Sequence, residues 1–185
     1  MNLEVEQKFH ARHTAELLHR LKRLDARFGE PMEQVDQYFS HPCRDFAETD
    51  EALRLRRIDA RNFVTYKGPK LDTKTKTRHE LEFPLVSGEQ SADDFCELLA
   101  ALGFSRVLEV RKRRQLAMLK WQGHDVEVAL DEVEGLGQFV ELEFIADAEN
   151  RADALEQIAP LAAELGLEAV ERRSYLELLL EGSRH

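Results

Sequence analysis

Residues 3–9 read Leu-Glu-Val-Glu-Gln-Lys-Phe. In an extended strand, successive side chains point to opposite faces, so Glu4, Glu6 and Lys8 share one face while Leu3, Val5 and Phe9 share the other. The pattern recurs along the chain. Arg54 and Arg56 alternate with Leu53 and Leu55, and Arg78, Glu80 and Glu82 with Leu81 and Phe83. Lys112 and Arg114 follow, then Glu127 and Asp131 against Val126, Val128 and Leu130, then Glu141 and Glu143 against Val140, Leu142 and Phe144. This period of two predicts strands over residues 3–9, 34–39, 52–58, 62–67, 78–83, 107–119, 125–133 and 138–145. Gly135-Leu136-Gly137 reads as the hairpin turn between the last two.

Three stretches carry helical periodicity instead. Residues 14–28 place Leu17, Leu18, Leu21, Leu24 and Phe28 on one stripe, with Gly29 as the stop. A second helix opens at Ser91 as N-cap, carries Phe95, Leu98, Leu99 and Leu102, and stops at Gly103. A third spans 149–165, where Pro160 is expected to kink or break it. A short closing helix starts at Ser174. Eight strands and few helices predict an antiparallel α+β protein in one domain, residues 1–185. A degenerate repeat is visible, with Glu4-Val5-Glu6 before one helix and Glu80-Leu81-Glu82 before the next, each helix then followed by three strands. Two such pseudo-symmetric βαβββ halves would close an eight-stranded antiparallel barrel with its helices packed outside.

Composition narrows the function. The 185 residues carry 36 Asp+Glu against 26 Lys+Arg, a net charge of −10. That argues against a nucleic-acid or membrane-surface partner bound by bulk charge. No run reaches the roughly 20 apolar residues of a membrane span, no secretory leader is read, and Cys43 and Cys96 form no metal or redox spacing. A reduced cytoplasmic setting is the expectation. There is no phosphate loop, and the glycines near 135 lack the third glycine and following helix of a dinucleotide site.

The charges are segregated by strand, Glu-x-Glu on some and Arg-x-Arg or Lys-x-Arg on others. Like charges two residues apart repel unless the opposite sign lies among them. A closed barrel would turn these groups into its lumen. The ligand suited to both signs is a polyphosphate with divalent metal: cations grip phosphate oxygens, and carboxylates hold Mg²⁺ or Mn²⁺. A wet, charged sheet face is the plainer reading of any single strand.

The residues also resemble a known family. Glu4-x-Glu6-x-Lys8 resembles the ExExK signature of CYTH proteins, the triphosphate tunnel metalloenzymes. Leu53–Arg56, Tyr66–Lys70, Arg78–Phe83, Lys112–Arg114, Asp131 in ALDEVEGLG and Phe139–Phe144 match in order. The closing ERRSYLELLL is similar to the RSY segment of class IV adenylyl cyclases. The resemblance implies an eight-stranded tunnel in which Lys8, Arg54, Arg56, Lys67, Arg78, Lys112, Arg114 and Arg173 bind phosphate oxygens. It implies that Glu4, Glu6, Glu80, Glu82, Asp131, Glu141 and Glu143 hold Mg²⁺ or Mn²⁺ or orient the basic groups. Lys8, Glu4 and Glu6 are the candidates for direct participation in catalysis. Glu127 faces the same way by spacing but matches no family motif, and Arg113 should point outward.

Two reactions fit such a site. In a cyclase, the ribose 3′-hydroxyl of ATP attacks the α-phosphorus and pyrophosphate leaves. In a triphosphatase, water attacks the terminal phosphorus of inorganic triphosphate, thiamine triphosphate or a nucleotide. A non-catalytic polyphosphate or nucleotide sensor could keep the same residues. The partner is thus a triphosphate-containing small molecule, and a homodimer is compatible with the sequence. Tyr38, Tyr66, Trp121 and Tyr175 could each stack on a base but fit core positions better. His10-x-x-His13 reads as a solvated pair, and Lys67, Lys70, Lys74, Lys76 and Arg78 form a basic run read as a Gly-Pro-containing loop segment. Asp45–Glu51 reads only as a polar connector.

Overall fold

The computed structural model describes residues 3–70, 78–146 and 151–183, with side chains at 3–5, 70, 78, 146 and 151 outside the description. The side chains of Glu4, Lys70 and Arg78, and residues Lys74, Lys76 and Glu149, therefore lie outside the described residues. In chain order the elements are β1 (Leu3–His10), α1 (Thr14–Arg23), β2 (Arg27–Phe28), β3 (Met32–Ser40), α2 (Phe46–Thr49), β4 (Ala52–Ile58) and β5 (Arg61–Lys70). Then come β6 (Arg78–Leu85), α3 (Glu89–Ala101), β7 (Ser105–Trp121), β8 (His124–Val133), β9 (Gly137–Ala146), α4 (Arg151–Leu165), β10 (Val170–Glu171) and α5 (Tyr175–Gly182). The fold is α+β, and the pairings β1–β9, β1–β10, β2–β7, β3–β4, β4–β5, β5–β6 and β8–β9 are antiparallel. Among the described residues no helix is long and apolar enough to cross a membrane.

The eight strands read from alternation are all present, and the closed barrel is not. The pairing path of the described residues runs from β10 at one end to β6 at the other, and the sheet is open. At the path's β10 end, two residues of β1 pair with β10, Lys8 with Glu171 and Phe9 with Val170.

The chain divides into two compact units, Met1–Pro31 with Arg113–Gly182, and Met32–Lys112. The boundary falls inside β7, between Lys112 and Arg113. In the first unit the strand order is β1-β9-β8-β7, and in the second β6-β5-β4-β3. The units are therefore not the two sequence halves. In each, the strand that precedes a helix pairs with the third strand of the other repeat.

In the first unit the apolar face of β1, β8 and β9 meets α1 and α4. Phe9, Val126, Val128, Val140, Leu142 and Phe144 pack with Leu17, Leu21, Ile158 and Leu161. In the second, α3 covers Phe39, Leu55 and Val64 with Ala92, Cys96 and Leu99. Burying each such large side chain contributes about 1.5–3 kcal/mol. One face of each sheet is thereby committed to core, and the charged residues are left on the opposite face.

Helix ends explain the remaining differences from expectation. α1 stops at Arg23, five residues early, because Asp25 adopts φ 55°. The Ala26 N–H then bonds the Leu21 carbonyl and Asp25 the Lys22 carbonyl, a Schellman closure with Asp where Gly is usual. Arg27 and Phe28 go on to pair with Met118 and Ala117. α3 begins before Ser91, with Gly88 as N-cap. Pro160 sits inside an unbroken α4. Ser174 caps α5 in a capping box: its Oγ accepts from the Glu177 N–H at 3.1 Å, and Glu177 accepts from the Ser174 N–H at 2.5 Å. The polar connector contains α2, capped by Asp45.

Candidate functional site

Each unit carries on its polar sheet face an arginine gripped at both ends by a buried carboxylate. In the first unit, Arg114 of β7 donates through Nε to Asp131 Oδ1 at 2.7 Å and through Nη2 to Oδ2 at 2.5 Å. Nη2 also meets Glu141. The Asp131 side chain is fully buried, and the Tyr175 hydroxyl donates to its Oδ2 at 2.8 Å. Burial alone would lower the Arg114 pKa; Asp131 and Glu141 more than reverse this and hold the guanidinium well above its ordinary value. Tyr175 is pushed far upward, by burial first and then by Glu141 and Asp131, so its phenol stays a neutral donor. Lys8, 3% exposed, places its Nζ 4.0 Å from the centre of the Tyr175 ring. A cation over an aromatic face is stabilised by about 0.5–2 kcal/mol.

In the second unit the gripping carboxylate is Asp36 of β3. Arg56 donates Nε to Oδ1 and Nη2 to Oδ2, both at 2.7 Å, and Arg54 reaches Oδ2 from Nη1 at 3.4 Å. Asp36 is 2% exposed. Burial would raise its pKa, but Arg54, Arg56 and Lys112 together hold the carboxyl far below the usual range. Beside this group, Lys67 Nζ meets Glu80 at 2.8 Å, and Thr65 Oγ1 donates to Glu82 at 2.8 Å. Lys112 is buried, and Arg113 points outward as alternation requires.

The site residues read from the sequence thus fall into separate groups. Lys8, Arg114, Asp131 and Glu141 lie together in the first unit; Arg54, Arg56 and Lys112 surround Asp36 in the second, where Lys67 pairs with Glu80. Arg173 is engaged elsewhere. Its Nη2 meets Glu171 Oε2 at 2.6 Å and its Nη1 meets Glu181 at 2.6 Å. Glu171 also takes the Arg173 N–H and Nε at 2.9 Å, and His10 Nε2 lies 3.3 Å away. Arg173 first, then burial in opposition, sets the Glu171 pKa at about 2.

Two residues that matter here were not singled out by sequence reasoning. Asp36 alternates with Gln34 and Tyr38 beside the Leu-Arg-Leu-Arg strand, which is the signal that would have found it. Glu171 precedes the RSY segment with no pattern of its own. Tyr175, a candidate stacking aromatic in the sequence, has its ring against Lys8 and Phe139. Tyr66 is tied by its hydroxyl to Glu51, Tyr38 lies beside Arg54, and Trp121 packs against the first unit's core.

The fit to a metal rests on register. Glu6 stands opposite Glu143, and Glu143 opposite Glu127, so three carboxylates form one row across β1, β9 and β8. Directly opposed side chains have Cβ atoms roughly 4.5–5.5 Å apart, and like charges there are destabilising. An all-oxygen acidic row fits a hard divalent cation. Among the described residues no three His, Cys, Asp or Glu side chains already converge as a ready-made cage. Asp131, Glu141, Glu80 and Glu82 hold the Arg, Lys and Thr partners named above.

The family model described as the CYTH domain matches residues 2–175. A Methanocaldococcus jannaschii protein, provisionally named an adenylate cyclase, is 38% identical over 179 residues, 95% of this chain and 98% of the relative. The solved structure of a Pyrococcus horikoshii protein is similar at a TM-score of 0.81 with 43% identity, covering 97% of this chain and 99% of its own. A Hippeastrum protein, provisionally called an adenylyl cyclase and described as having a dominant triphosphatase activity, shares the fold at a TM-score of 0.66. Its identity is 18%, with 98% of this chain and 96% of that one covered.

Proposed function

Because the chain belongs to the CYTH domain family, we propose that it is a triphosphate-processing enzyme whose reaction converts ATP to cyclic AMP and pyrophosphate. The observation that carries this reading is the pair of arginines, Arg56 and Arg114, each clamped by a buried carboxylate on a charged sheet face. Guanidinium groups fixed in advance stabilise charge that develops in the transition state without reorganising. Arg forks match phosphate oxygens bidentately. The cyclase direction is supported by the name of the 38% identical relative.

In this reaction the 3′-hydroxyl oxygen bonds to the α-phosphorus, its proton departs, and the bond to the β-phosphate oxygen breaks. Arg54, Arg56, Lys67 and Lys112 in the second unit, and Lys8 and Arg114 in the first, are the cations whose role in this reading is to bind phosphate oxygens and neutralise leaving pyrophosphate. Asp36 and Asp131 hold those guanidinium groups in place, and Tyr175 holds Asp131 and the Lys8 ammonium. Glu6, Glu143 and Glu127, with Glu4 two positions along β1, are the carboxylates that would hold Mg²⁺ or Mn²⁺. When bound, such an ion supplies Lewis acidity to phosphoryl oxygens and eases loss of the hydroxyl proton.

Hydrolysis is the second reading, favoured by the triphosphatase activity described for the Hippeastrum protein. Phosphorus NMR of products from ATP, inorganic triphosphate and thiamine triphosphate, each with Mg²⁺ or Mn²⁺, separates the two. Cyclic AMP with pyrophosphate selects cyclisation; orthophosphate with a diphosphate selects hydrolysis. Glu6→Gln is expected to abolish either. Tight triphosphate binding without turnover under any metal would leave only a sensor.

A further inference from the structure

The polar face of the second unit is not polar throughout. Along the register, Tyr38, Arg54, Thr65 and Glu82 form one row, and Asp36, Arg56, Phe63 and Pro84 the next. Beyond them stand Gln34, Ile58 and the exposed Arg61 in a third row. Ile58 and Phe63 are half-buried, Pro84 is exposed, and none of the three belongs to the core cluster beneath α3. Next to the Asp36–Arg56 clamp the face therefore carries an apolar patch of Ile58, Phe63 and Pro84, bordered by Gln34 and Arg61, that the core does not use.

At the border of that patch lies an unmet hydrogen bond. Gln34 is 4% exposed, and among the described residues its Oε1 has no hydrogen-bond partner. Buried acceptors are nearly always paired, and one left unpaired is costly. A second buried atom without a partner among the described residues, Arg54 Nε, lies two rows away on the same face. Successive side chains on one face of a strand are roughly 7 Å apart. That spacing lets a flat group rest on Ile58 and Phe63 while phosphates attached through a sugar reach Arg56 and Arg54.

We infer that Gln34, Ile58, Phe63 and Pro84 form the nucleobase subsite of an adenine nucleoside triphosphate. The apolar side chains stack on the ring faces, as apolar and aromatic groups do for any base. The exocyclic amine of adenine donates to Gln34 Oε1. The inference rests on the triphosphate reading above and adds to it the base that the sequence left unassigned.

The test is calorimetric titration of the full chain, in buffer with chelator to prevent turnover, against ATP, inosine triphosphate and inorganic triphosphate. Inosine triphosphate offers an acceptor where ATP offers an amine. The wild type is expected to prefer ATP by about tenfold, the worth of one buried hydrogen bond. Gln34→Leu should level the two nucleotides and leave inorganic triphosphate unchanged. Its melting temperature should not fall, because it deletes an unpaired buried acceptor. Phe63→Ala should weaken both nucleotides and spare inorganic triphosphate. Equal wild-type affinity for ATP and inosine triphosphate overturns the base subsite alone, as does a Gln34→Leu loss shared by inorganic triphosphate. A wild type that takes up neither ATP nor inorganic triphosphate overturns this inference together with the reading beneath it.

Discussion

Replacing Asp36 by Asn tests whether a buried carboxylate organises the arginines of the second unit. The Asp36 side chain is 3% exposed, Arg56 15% and Arg54 13%. The substitution leaves two nearly buried guanidinium groups facing a neutral amide that has one acceptor for three donated bonds. Removing one partner of a buried ion pair costs about 3–5 kcal/mol. For a chain of this size 1 kcal/mol moves the melting temperature by roughly 2–4 °C, so a drop on the order of 10 °C is expected. The same variant makes a prediction whose sign discriminates. If Asp36 were only a counter-ion, deleting its charge would strengthen anion binding. If it holds the forks, affinity for inorganic triphosphate falls although the cluster has become more positive. Differential scanning calorimetry and isothermal titration read the two effects separately. A melting temperature within about 2 °C of wild type, or tighter triphosphate binding, would refute the reasoning.

Three further outcomes follow from other contacts. Glu171 has a folded pKa of about 2 against an ordinary 4.5, so its contribution is complete above 4.5 and is lost as pH falls towards 2. Glu171→Gln should therefore lower stability at neutral pH and flatten the acid limb between those values, as melts across pH will show. Tyr175→Phe keeps the ring beneath Lys8 but deletes the bond to Asp131; a loss of about 1–3 kcal/mol by urea titration is expected, and Tyr175→Leu should lose more. Arg114→Lys keeps the charge but not the fork held by Asp131, and should weaken inorganic triphosphate by at least about tenfold; unchanged affinity would remove Arg114 from the phosphate set.

The element order and the faces were legible because alternation is a local property. Once Leu53, Leu55, Val140 and Leu142 must enter a core, Arg54, Arg56, Glu141 and Glu143 have no other side to take. Family motifs then named most of the charged set. Local signals also misled where a residue behaved unusually: Asp25 took the left-handed position expected of Gly29, and Pro160 stayed within its helix.

By itself, then, the sequence determined which residues are strand, which face of each strand is charged, and that the charges are organised by sign. Which strand lies beside which was decided only by the tertiary structure. Pairing between distant segments depends on register and edge competition, and no local pattern encodes these. The pairing of β10 with Lys8 and Phe9 of β1, and the open path of the described strands, are outcomes of that kind. For the same reason Asp36 rather than a motif glutamate clamps Arg56, and Arg173 closes on Glu171 and Glu181. An ion pair is chosen by distance in three dimensions, and only the folded chain sets that distance.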